Sequence, residues 1–403
     1  MNTNAWNTFI QDTQQLTKPA RATQLIPKTA IIEIKQLIIE VLQGFLNKEE
    51  LHMGLKVYID HKLRNDMIEK MAANPPTLDC DLEEWSEQIF GDQKFGMVLI
   101  GLEQYSNAFA EKAATTVHPL LEMAGLPLHG LSFLFFMGNY GFTPFGIHKE
   151  ATGEDGILFH LGPGNKQFYT WDDPKYNAIE HNSEVFHNIS EMLPKGEVYA
   201  LAPGDAMFIP HYVYHVGNTP EFSLSFVLDY INPPKDRFEN ELIKETSEEA
   251  LHTQTEYTNP ITLDTSFQEL SSVIDYQSIQ QKIAISFARK IMRLKSNGGI
   301  RRKSNMIRTV IPPTENFSIK GKKAFPIYLD EQDPKETLLF ARGHRLMVKK
   351  HPMLSQLIEQ LNKESAISIT MIRQQMEPEW DLIEVLGFVQ ELLSIEAVLL
   401  EEN

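Results

Sequence analysis

The stretch ILFHLGPGNKQFYTW, residues 157–171, is the part of the sequence that best indicates the fold. Two short apolar and aromatic runs flank the glycine- and proline-containing break GPGN, a pattern that predicts two strands joined by a tight turn. Further out, LSFLFFMG at 131–138 has the composition of a buried strand, and EVYALAPGDAMFIP at 197–210 repeats the arrangement of two strands around a turn. Several short strands with turns between them favour a sandwich, a barrel or a double-sheet jelly roll over residues 129–235.

The regions on either side of these strands have a different pattern. Residues 1–128 read mainly as helix, because TAIIEIKQLIIEVLQGFL at 29–46 has apolar residues at helical spacing. We expect this N-terminal region to pack on the core and to form one wall of a cleft. Residues 236–300 combine a charged, linker-like stretch with a helical pattern, and the strand-like and helical stretches of 301–403 predict a small winged-helix-like domain. The expected fold class is α+β.

Composition limits the class of protein. A formal net charge of −17 over 403 residues argues against broad nucleic-acid binding, which depends on Lys and Arg. The single cysteine, Cys80, excludes an internal disulfide framework and fits a reducing compartment. The N-terminus lacks a signal-peptide pattern, and no apolar run approaches the roughly 20 residues that a membrane span needs. We therefore expect a soluble, cytoplasmic protein with no membrane partner.

One basic segment stands out from this acidic background. Residues 289–308 contain eight Lys and Arg residues and no acidic residue. Such a run is usually a solvated helix and loop. Binding of an acidic peptide or of nucleic acid is the alternative.

His148 and Glu150 have a spacing that suits two ligands of a metal ion. On a strand, side chains two residues apart point to the same face, and a third ligand has to come from elsewhere in the sheet. The best candidate is His215 in PHYVYH, with His211 as its rival. Two imidazoles and one carboxylate on one side of an ion form the facial triad of non-haem Fe(II) oxygenases and leave the opposite side open. An isolated HxE pair, in contrast, is more often a solvated loop pair.

Lys166 follows the GPGN break in an aromatic neighbourhood. A buried ammonium group needs a partner, and the distal carboxylate of 2-oxoglutarate bound to the iron would supply one. His160 is expected to be a core or pocket-wall residue, and Asp205 a turn residue that bonds the local backbone. The hydroxyl groups that could add a hydrogen bond to the cosubstrate are those of Tyr140, Thr143, Tyr169, Ser223 and Ser225.

Residues 131–230 resemble the JmjC and cupin-like family of Fe(II)/2-oxoglutarate-dependent oxygenases. The resemblance rests on TPFGIHKE, LFHLGPGNKQFYTW and LAPGDAMFIPHYVYHVGNT, in this order along the chain. It implies a double-stranded β-helix in which His148, Glu150 and His215 hold Fe(II) and Lys166 anchors 2-oxoglutarate. Many relatives carry Asp where Glu150 stands.

Residues 300–403 resemble, more loosely, the winged-helix domain that follows the oxygenase core in ribosomal-protein hydroxylases. In those proteins a helical segment between the two domains supports dimerisation. The resemblance therefore implies that residues 236–300 are a helical linker or dimerisation segment, and that the chain forms a homodimer.

The resemblance also implies the reaction. An amino-acid side chain in a protein or peptide would be hydroxylated, with succinate and CO2 as coproducts; on an N-methyl carbon the net result would be demethylation. A free amino acid or small metabolite stays open as the substrate. Two other classes also stay open: a non-catalytic peptide-binding or scaffold module, and a metal cupin of different chemistry, which would have no use for Lys166.

Overall fold

The computed structural model describes residues 3–48, 54–171, 185–251, 260–270, 273–311, 316–332 and 337–402. The helices are α1 (Thr3–Asp12), α2 (Lys28–Leu46), α3 (Met67–Ala73), α4 (Leu82–Phe90), α5 (Asn107–Ala124), α6 (Ile189–Met192), α7 (Lys235–Thr246), α8 (Phe267–Leu270), α9 (Tyr276–Lys295), α10 (Leu354–Asn362), α11 (Ile369–Met376) and α12 (Leu382–Ser394). The strands are β1 (Ala20–Ala22), β2 (Leu55–Ile59), β3 (Lys62–Leu63), β4 (Phe95–Ile100), β5 (Leu131–Gly138), β6 (Gly141–Phe142), β7 (Ile147–His148), β8 (Glu154–Pro163), β9 (Lys166–Trp171), β10 (Val185–Phe186), β11 (Glu197–Leu201), β12 (Ala206–Ile209), β13 (Tyr214–Thr219), β14 (Ser223–Ile231), β15 (Phe317–Gly321), β16 (Tyr328–Asp330), β17 (Thr337–Ala341), β18 (His344–Val348), β19 (Ile367–Ser368) and β20 (Val398–Glu402).

The larger of two central sheets has the antiparallel order β1-β12-β8-β14-β5-β4-β2-β3. In β5, alternate side chains are fully buried and face α1, α2 and α5, whose Phe9, Leu42 and Phe109 complete the main core. Burying one such aromatic or aliphatic side chain contributes about 1.5–3 kcal/mol. The residues between them, such as Leu134 and Phe136, face the opposite way and are left for a second sheet.

The smaller central sheet has the order β10-β7-β13-β9-β11, with β6 paired to β13. It faces the larger sheet through a small apolar cluster that joins Phe168 and Leu201 to Leu158, Met207 and Val227. The two sheets therefore face each other. The space between them is filled partly by this apolar cluster and partly by a cavity.

The break GPGN does not close a hairpin. Both predicted strands are present, but β8 pairs with β12 and β14 in the larger sheet, whereas β9 pairs with β11 and β13 in the smaller one. The break thus carries the chain from one sheet to the other, and the β11–β12 connection carries it back. The two crossings pack together closely: Gly162 has φ +71°, and a Cβ there would lie 2.5 Å from Pro203 Cγ. Only glycine fits that approach without strain.

The N-terminal region contributes both helices and sheet. The helix predicted over 29–46 is observed at Lys28–Leu46. Three strands that the sequence pattern did not indicate, β2, β3 and β4, widen the larger sheet beyond β5. As a result, the cavity has a wall that extends past the strands of residues 129–235.

The chain after residue 316 forms a mixed unit of helices and antiparallel strands. Two three-stranded sheets, β19-β15-β20 and β16-β17-β18, accompany α10, α11 and α12. Their shared core contains Leu357, Trp380 and Phe388. In sequence, α7, α8 and α9 lie between the central sheets and this unit; residues 252–259 and 271–272 of the expected linker fall outside the described residues. No described helix has both the length and the apolar character needed to cross a membrane.

Residues 296–305 connect the central sheets to the C-terminal unit. Leu131, the first residue of β5, donates to Gly299 O at 2.8 Å and accepts from Arg301 N at 2.8 Å. On the other side, Arg342 in the β17–β18 turn donates to Ser296 O at 3.1 Å and accepts from Ser304 N at 3.0 Å. We call residues 296–305 the connecting segment.

Candidate metal centre

A cavity of about 330 Å³ lies between the two central sheets. Tyr140 and Lys166 are buried and lie at its closed end. Its exposed lining residues, Lys56, Ile100 and Glu150, mark the mouth. The predicted site residues that line this cavity are His148, Glu150, His215, Lys166, Tyr140 and Thr143; the candidates Tyr169, Ser223 and Ser225 do not line it.

The three predicted metal ligands come together at the mouth. His148 and His215 stand directly opposite each other on β7 and β13, with their ring centroids 4.4 Å apart. Glu150 lies just beyond β7, and its Oε1 is 3.8 Å from His148 Nε2 and 3.4 Å from His215 Nε2. All three ligand atoms lie within 4.8 Å of one another. Cross-strand register, rather than the two-residue spacing alone, therefore assembles the set.

The second nitrogen of each imidazole is held by the backbone. His148 Nδ1 is 3.0 Å from Gly146 O, and His215 Nδ1 is 3.2 Å from Val213 O. A carbonyl oxygen can only accept, so each Nδ1 carries the proton and each Nε2 presents a lone pair towards Glu150. This donor set, two oriented imidazoles and one carboxylate, fits a divalent transition metal.

Electrostatics keeps His148 in the state that binds metal. Burial, and then the nearby His215, lower the pKa of His148 to about 4. The imidazole is therefore neutral at physiological pH, and no proton has to leave before a metal binds.

Lys166 lies at the closed end of the same cavity. Its side chain is buried, with Nζ donating to Tyr140 Oη at 3.1 Å and lying 5.6 Å from the centroid of the Phe136 ring. Among the residues that the structure describes, no carboxylate forms an ion pair with it. Thr143 also lines this end and donates its hydroxyl to Gly217 O at 3.1 Å. An ammonium group is thus held ready for an anion inside the cavity.

Ser225 lies behind the cavity wall and pairs with His160. The Ser225 Oγ is 3.2 Å from His160 Nδ1, and His160 Nε2 donates to Gly164 O at 2.7 Å. His160 is fully buried, as expected for a core residue, and burial followed by the charge of Lys166 lowers its pKa to about 4. Ser225 is therefore a predicted cosubstrate contact that the fold does not bring to the cavity.

Other candidate residues have local roles. The rival ligand His211 bonds Asp155 at 2.9 Å and stands outside the triad. Asp205 accepts from Ala202 N at 3.0 Å, as a turn residue should. The Tyr169 hydroxyl donates to the side chain of Gln167 at 3.1 Å, away from the cavity lining. Ser223 is also absent from the lining.

Replacing Ser225 tests this placement. Ser225→Ala leaves His160 Nδ1 without its donor, so we expect the free energy of unfolding to fall by about 1–3 kcal/mol. The affinity for 2-oxoglutarate should stay within about twofold of the wild type, because no cavity contact is lost. Urea unfolding and calorimetric titration of the metal-loaded protein measure the two quantities. A large loss of 2-oxoglutarate affinity at unchanged stability would instead assign Ser225 to the cosubstrate.

Several cavity residues were missed by sequence reasoning. Asp229 on β14 faces the cavity, where burial, and then the negative charge of Glu150, raise its pKa well above the usual range. The alternation of SLSFVLDYI carried a usable signal, since Val227 and Asp229 share the inner face. The lining residues from the N-terminal strands, in contrast, had no recognisable pattern; these are Lys56, Tyr58, Val98 and Ile100.

No family model and no curated protein matches this chain. Solved structures do match, and among them are structures of a ribosomal oxygenase with TM-scores above 0.5. One is YcfD, a ribosomal oxygenase from Escherichia coli, at 12% identity and a TM-score of 0.54, with 98% of each chain covered.

YcfD in complex with cobalt and 2-oxoglutarate matches at 12% identity and a TM-score of 0.51 over 100% of this chain and 98% of that chain. Its complex with cobalt and succinic acid matches at a TM-score of 0.52. At this identity the likeness establishes the shared fold over the whole chain, including the regions before and after the central sheets.

Proposed function

We propose that this protein is an Fe(II)- and 2-oxoglutarate-dependent oxygenase that hydroxylates an amino-acid side chain within a polypeptide. One observation carries the proposal: a His-Glu-His ligand set and a buried lysine without a carboxylate partner share a single cavity. A metal cupin of other chemistry has no need of a cation at that depth. In this proposal, the two facing sheets form the double-stranded β-helix of 2-oxoglutarate-dependent oxygenases.

The residues divide the work along the cavity. His148, Glu150 and His215 hold the metal at the mouth and leave the cavity side open. Lys166, with Tyr140, binds the distal carboxylate of 2-oxoglutarate at the closed end. Bound Fe(II) supplies oxygen activation coupled to the conversion of 2-oxoglutarate into succinate and CO2. The chain itself fixes the cosubstrate's position and keeps water away from it.

The walls explain how water is kept away. Phe136, Leu158 and Phe168 surround the path between the metal ligands and Lys166, and they offer no hydrogen-bonding groups. Such a lining strengthens the attraction between the ammonium and a bound carboxylate, since less solvent screens the charges. The substrate has to approach from the mouth, past Ile100 and Glu150.

A polypeptide substrate is favoured over a small molecule by two considerations. The chain shares its full-length fold with a protein named as a ribosomal oxygenase, including the unit after the central sheets. In addition, the mouth is bordered by exposed residues of both sheets and leads onto open surface. Open surface around the mouth leaves room for a polypeptide to lie across it and to insert one side chain into the cavity.

Succinate formation is the decisive experiment. Protein loaded with Fe(II) without oxygen is mixed with 2-oxoglutarate, with and without air, and succinate is quantified. We expect slow, oxygen-dependent turnover even without the substrate. Calorimetry with Co(II) and 2-oxoglutarate provides a readout that does not require activity. A protein that binds Co(II) but neither binds nor consumes 2-oxoglutarate would be a scaffold or peptide-binding module instead.

A further inference from the structure

Lys149 stands between two of the candidate metal ligands but points to the other side of the smaller sheet. Its neighbours in sequence, His148 and Glu150, approach His215 from the cavity side. The Lys149 Nζ instead lies 4.5 Å from the centroid of the Tyr214 ring. Tyr214 belongs to an apolar cluster on the face of this sheet that is turned away from the cavity. Lys149 is therefore outside the ligand set, although its backbone joins two members of that set.

Backbone pairing alone holds the ligand-bearing segment weakly. Strand β7 has two residues, and within the described part of the chain it pairs with β13 through one residue pair, His148 opposite His215. On its other side it pairs with the equally short β10. Lys149 and Glu150 follow the last residue of β7, so no strand pairing fixes the Glu150 carboxylate. A side-chain contact that ties this segment to β13 would therefore decide how well the three ligand atoms keep their positions.

The Tyr214 ring has a fixed position to which Lys149 can bind. The ring is buried, and Tyr214 directly precedes His215 on β13. The Phe186 ring of β10 packs against it in a T-shaped arrangement, with the centroids 5.1 Å apart and an interplanar angle of 82°. An ammonium group at 4.5 Å from the centroid is attracted by the negative face of such a ring. The contact thus links the residue between His148 and Glu150 to the residue before His215.

The chain contains a second contact of the same kind outside the metal centre. Lys48 Nζ lies 4.4 Å from the centroid of the Tyr105 ring, and Phe45 packs against that ring in a T-shaped arrangement at 5.3 Å and 86°. Lys48 is half-buried, as is Lys149. Neither Lys48 nor Tyr105 lines the cavity. This second pair therefore allows the effect of losing a cation–π contact to be separated from the effect of losing one beside the metal ligands.

We propose that the cation–π contact between Lys149 and Tyr214 holds the His148–Glu150 segment against β13 and so fixes the spacing of the three metal ligands before a metal binds. Neither residue touches the metal, so both are positioning residues. Ligands that are already in place bind an ion more tightly, because less ordering has to accompany binding. The inference rests on the proposed function for the presence of a metal, but it requires neither 2-oxoglutarate nor turnover.

Removal of the cation tests the inference. Lys149→Met removes the ammonium group and keeps an apolar stem, whereas Lys149→Arg keeps a cation that can lie over the ring. The matched control is Lys48→Met, which removes the corresponding contact with Tyr105. Calorimetric titration of the full-length proteins with Co(II) measures metal affinity. The visible absorption of bound Co(II) reports the arrangement of its ligands, and urea unfolding reports stability.

We expect Lys149→Met to bind Co(II) about tenfold more weakly and with an altered visible spectrum, as for other partners that orient metal ligands. Lys48→Met should stay within about twofold of the wild type with an unchanged spectrum, although the urea midpoint should fall similarly in both methionine variants. Lys149→Arg should regain most of the affinity. Wild-type affinity and spectrum in Lys149→Met overturn the inference. An equal loss in Lys48→Met or in Lys149→Arg does so too, because the effect would then not come from a cation over the Tyr214 ring.

A double-mutant cycle shows whether Lys149 acts through the ring. Tyr214→Leu removes the aromatic face, and Lys149→Met added to it should then lower the Co(II) affinity little further. Losses that simply add in the double variant contradict the inference. If Tyr214→Leu does not fold, the comparison of Lys149→Met with Lys149→Arg decides alone.

The Co(II) titrations also separate this inference from the proposed function. A wild-type protein that binds no Co(II) overturns the assignment of the metal centre, and both the proposed function and the inference fail with it. A wild-type protein that binds Co(II) and 2-oxoglutarate supports the proposed function. If Lys149→Met then binds Co(II) as the wild type does, only the inference about Lys149 and Tyr214 fails.

Discussion

His215→Ala is expected to abolish metal binding at the mouth of the cavity. The substitution removes one of two imidazoles that stand opposite each other, leaving His148 and Glu150, which cannot enclose one side of an ion alone. Loss of an outer-shell partner already costs roughly 10- to 100-fold in metal affinity, so loss of a direct ligand should cost at least about 100-fold. Calorimetry and the visible absorption of Co(II) measure this directly. Succinate formation should disappear in parallel.

His211→Ala is the matched control, because His211 lies four residues earlier on the same approach to β13 and bonds Asp155 instead of the triad. Co(II) affinity in this variant should stay close to that of the wild type. If His215→Ala binds Co(II) normally while His211→Ala does not, the rival histidine is the ligand and the assignment of the site is wrong.

Lys166→Met is expected to change binding and stability in opposite directions. Methionine keeps the length of the apolar stem but removes a buried charge for which the described residues offer no carboxylate partner. Losing one partner of a buried charge pair costs about 2–5 kcal/mol, so 2-oxoglutarate should bind roughly 30- to 5,000-fold more weakly. The protein without ligand should become more stable, by about 1 kcal/mol or more, because desolvating the ammonium is no longer required.

Tyr140→Phe is the variant against which the loss of 2-oxoglutarate affinity in Lys166→Met is compared. It removes only the neutral hydrogen-bonding group 3.1 Å from Lys166 Nζ, a loss of about 0.5–1.5 kcal/mol in 2-oxoglutarate binding. Titration calorimetry and urea unfolding provide both quantities for both variants. A Lys166→Met protein that loses stability and retains 2-oxoglutarate affinity would show a structural lysine with no role in anion binding.

The grouping of the three candidate metal ligands could be predicted from sequence because its parts are local and chemically distinctive. His148 and Glu150 are two residues apart, and His215 follows a proline-containing turn that limits where the next strand can run. The three side chains come together because β7 pairs with β13 with His148 opposite His215. No single motif in the sequence indicates this pairing; it is suggested only when all three residues are taken as ligands of one ion. The preference for His215 over His211 came instead from the resemblance to the oxygenase family, in which glycine or another turn residue often stands at the place of His211.

Other parts of the cavity depend on long-range packing that leaves little trace in the sequence. Strand β2 is only Leu55–Ile59, and its place beside β4 is fixed by the helices that cover the other face. Lys56 therefore reaches the mouth without any local motif. The pairing of β8 was missed for a similar reason: the GPGN break has the residues of a hairpin turn, but burial between two facing sheets decided the outcome.

The connecting segment has a consequence for the modularity of the chain. Its hydrogen bonds to Leu131 act as a short additional strand at the start of β5, and its bonds to Arg342 fasten the β17–β18 turn. A truncation that ends after β14 would leave the backbone N–H and C=O of Leu131 in β5 unpaired, at a cost comparable to other buried unsatisfied groups. The central sheets and the C-terminal unit are thus joined by backbone hydrogen bonds on both sides of the connecting segment. We therefore expect that replacing either part alone would leave these backbone groups without their partners.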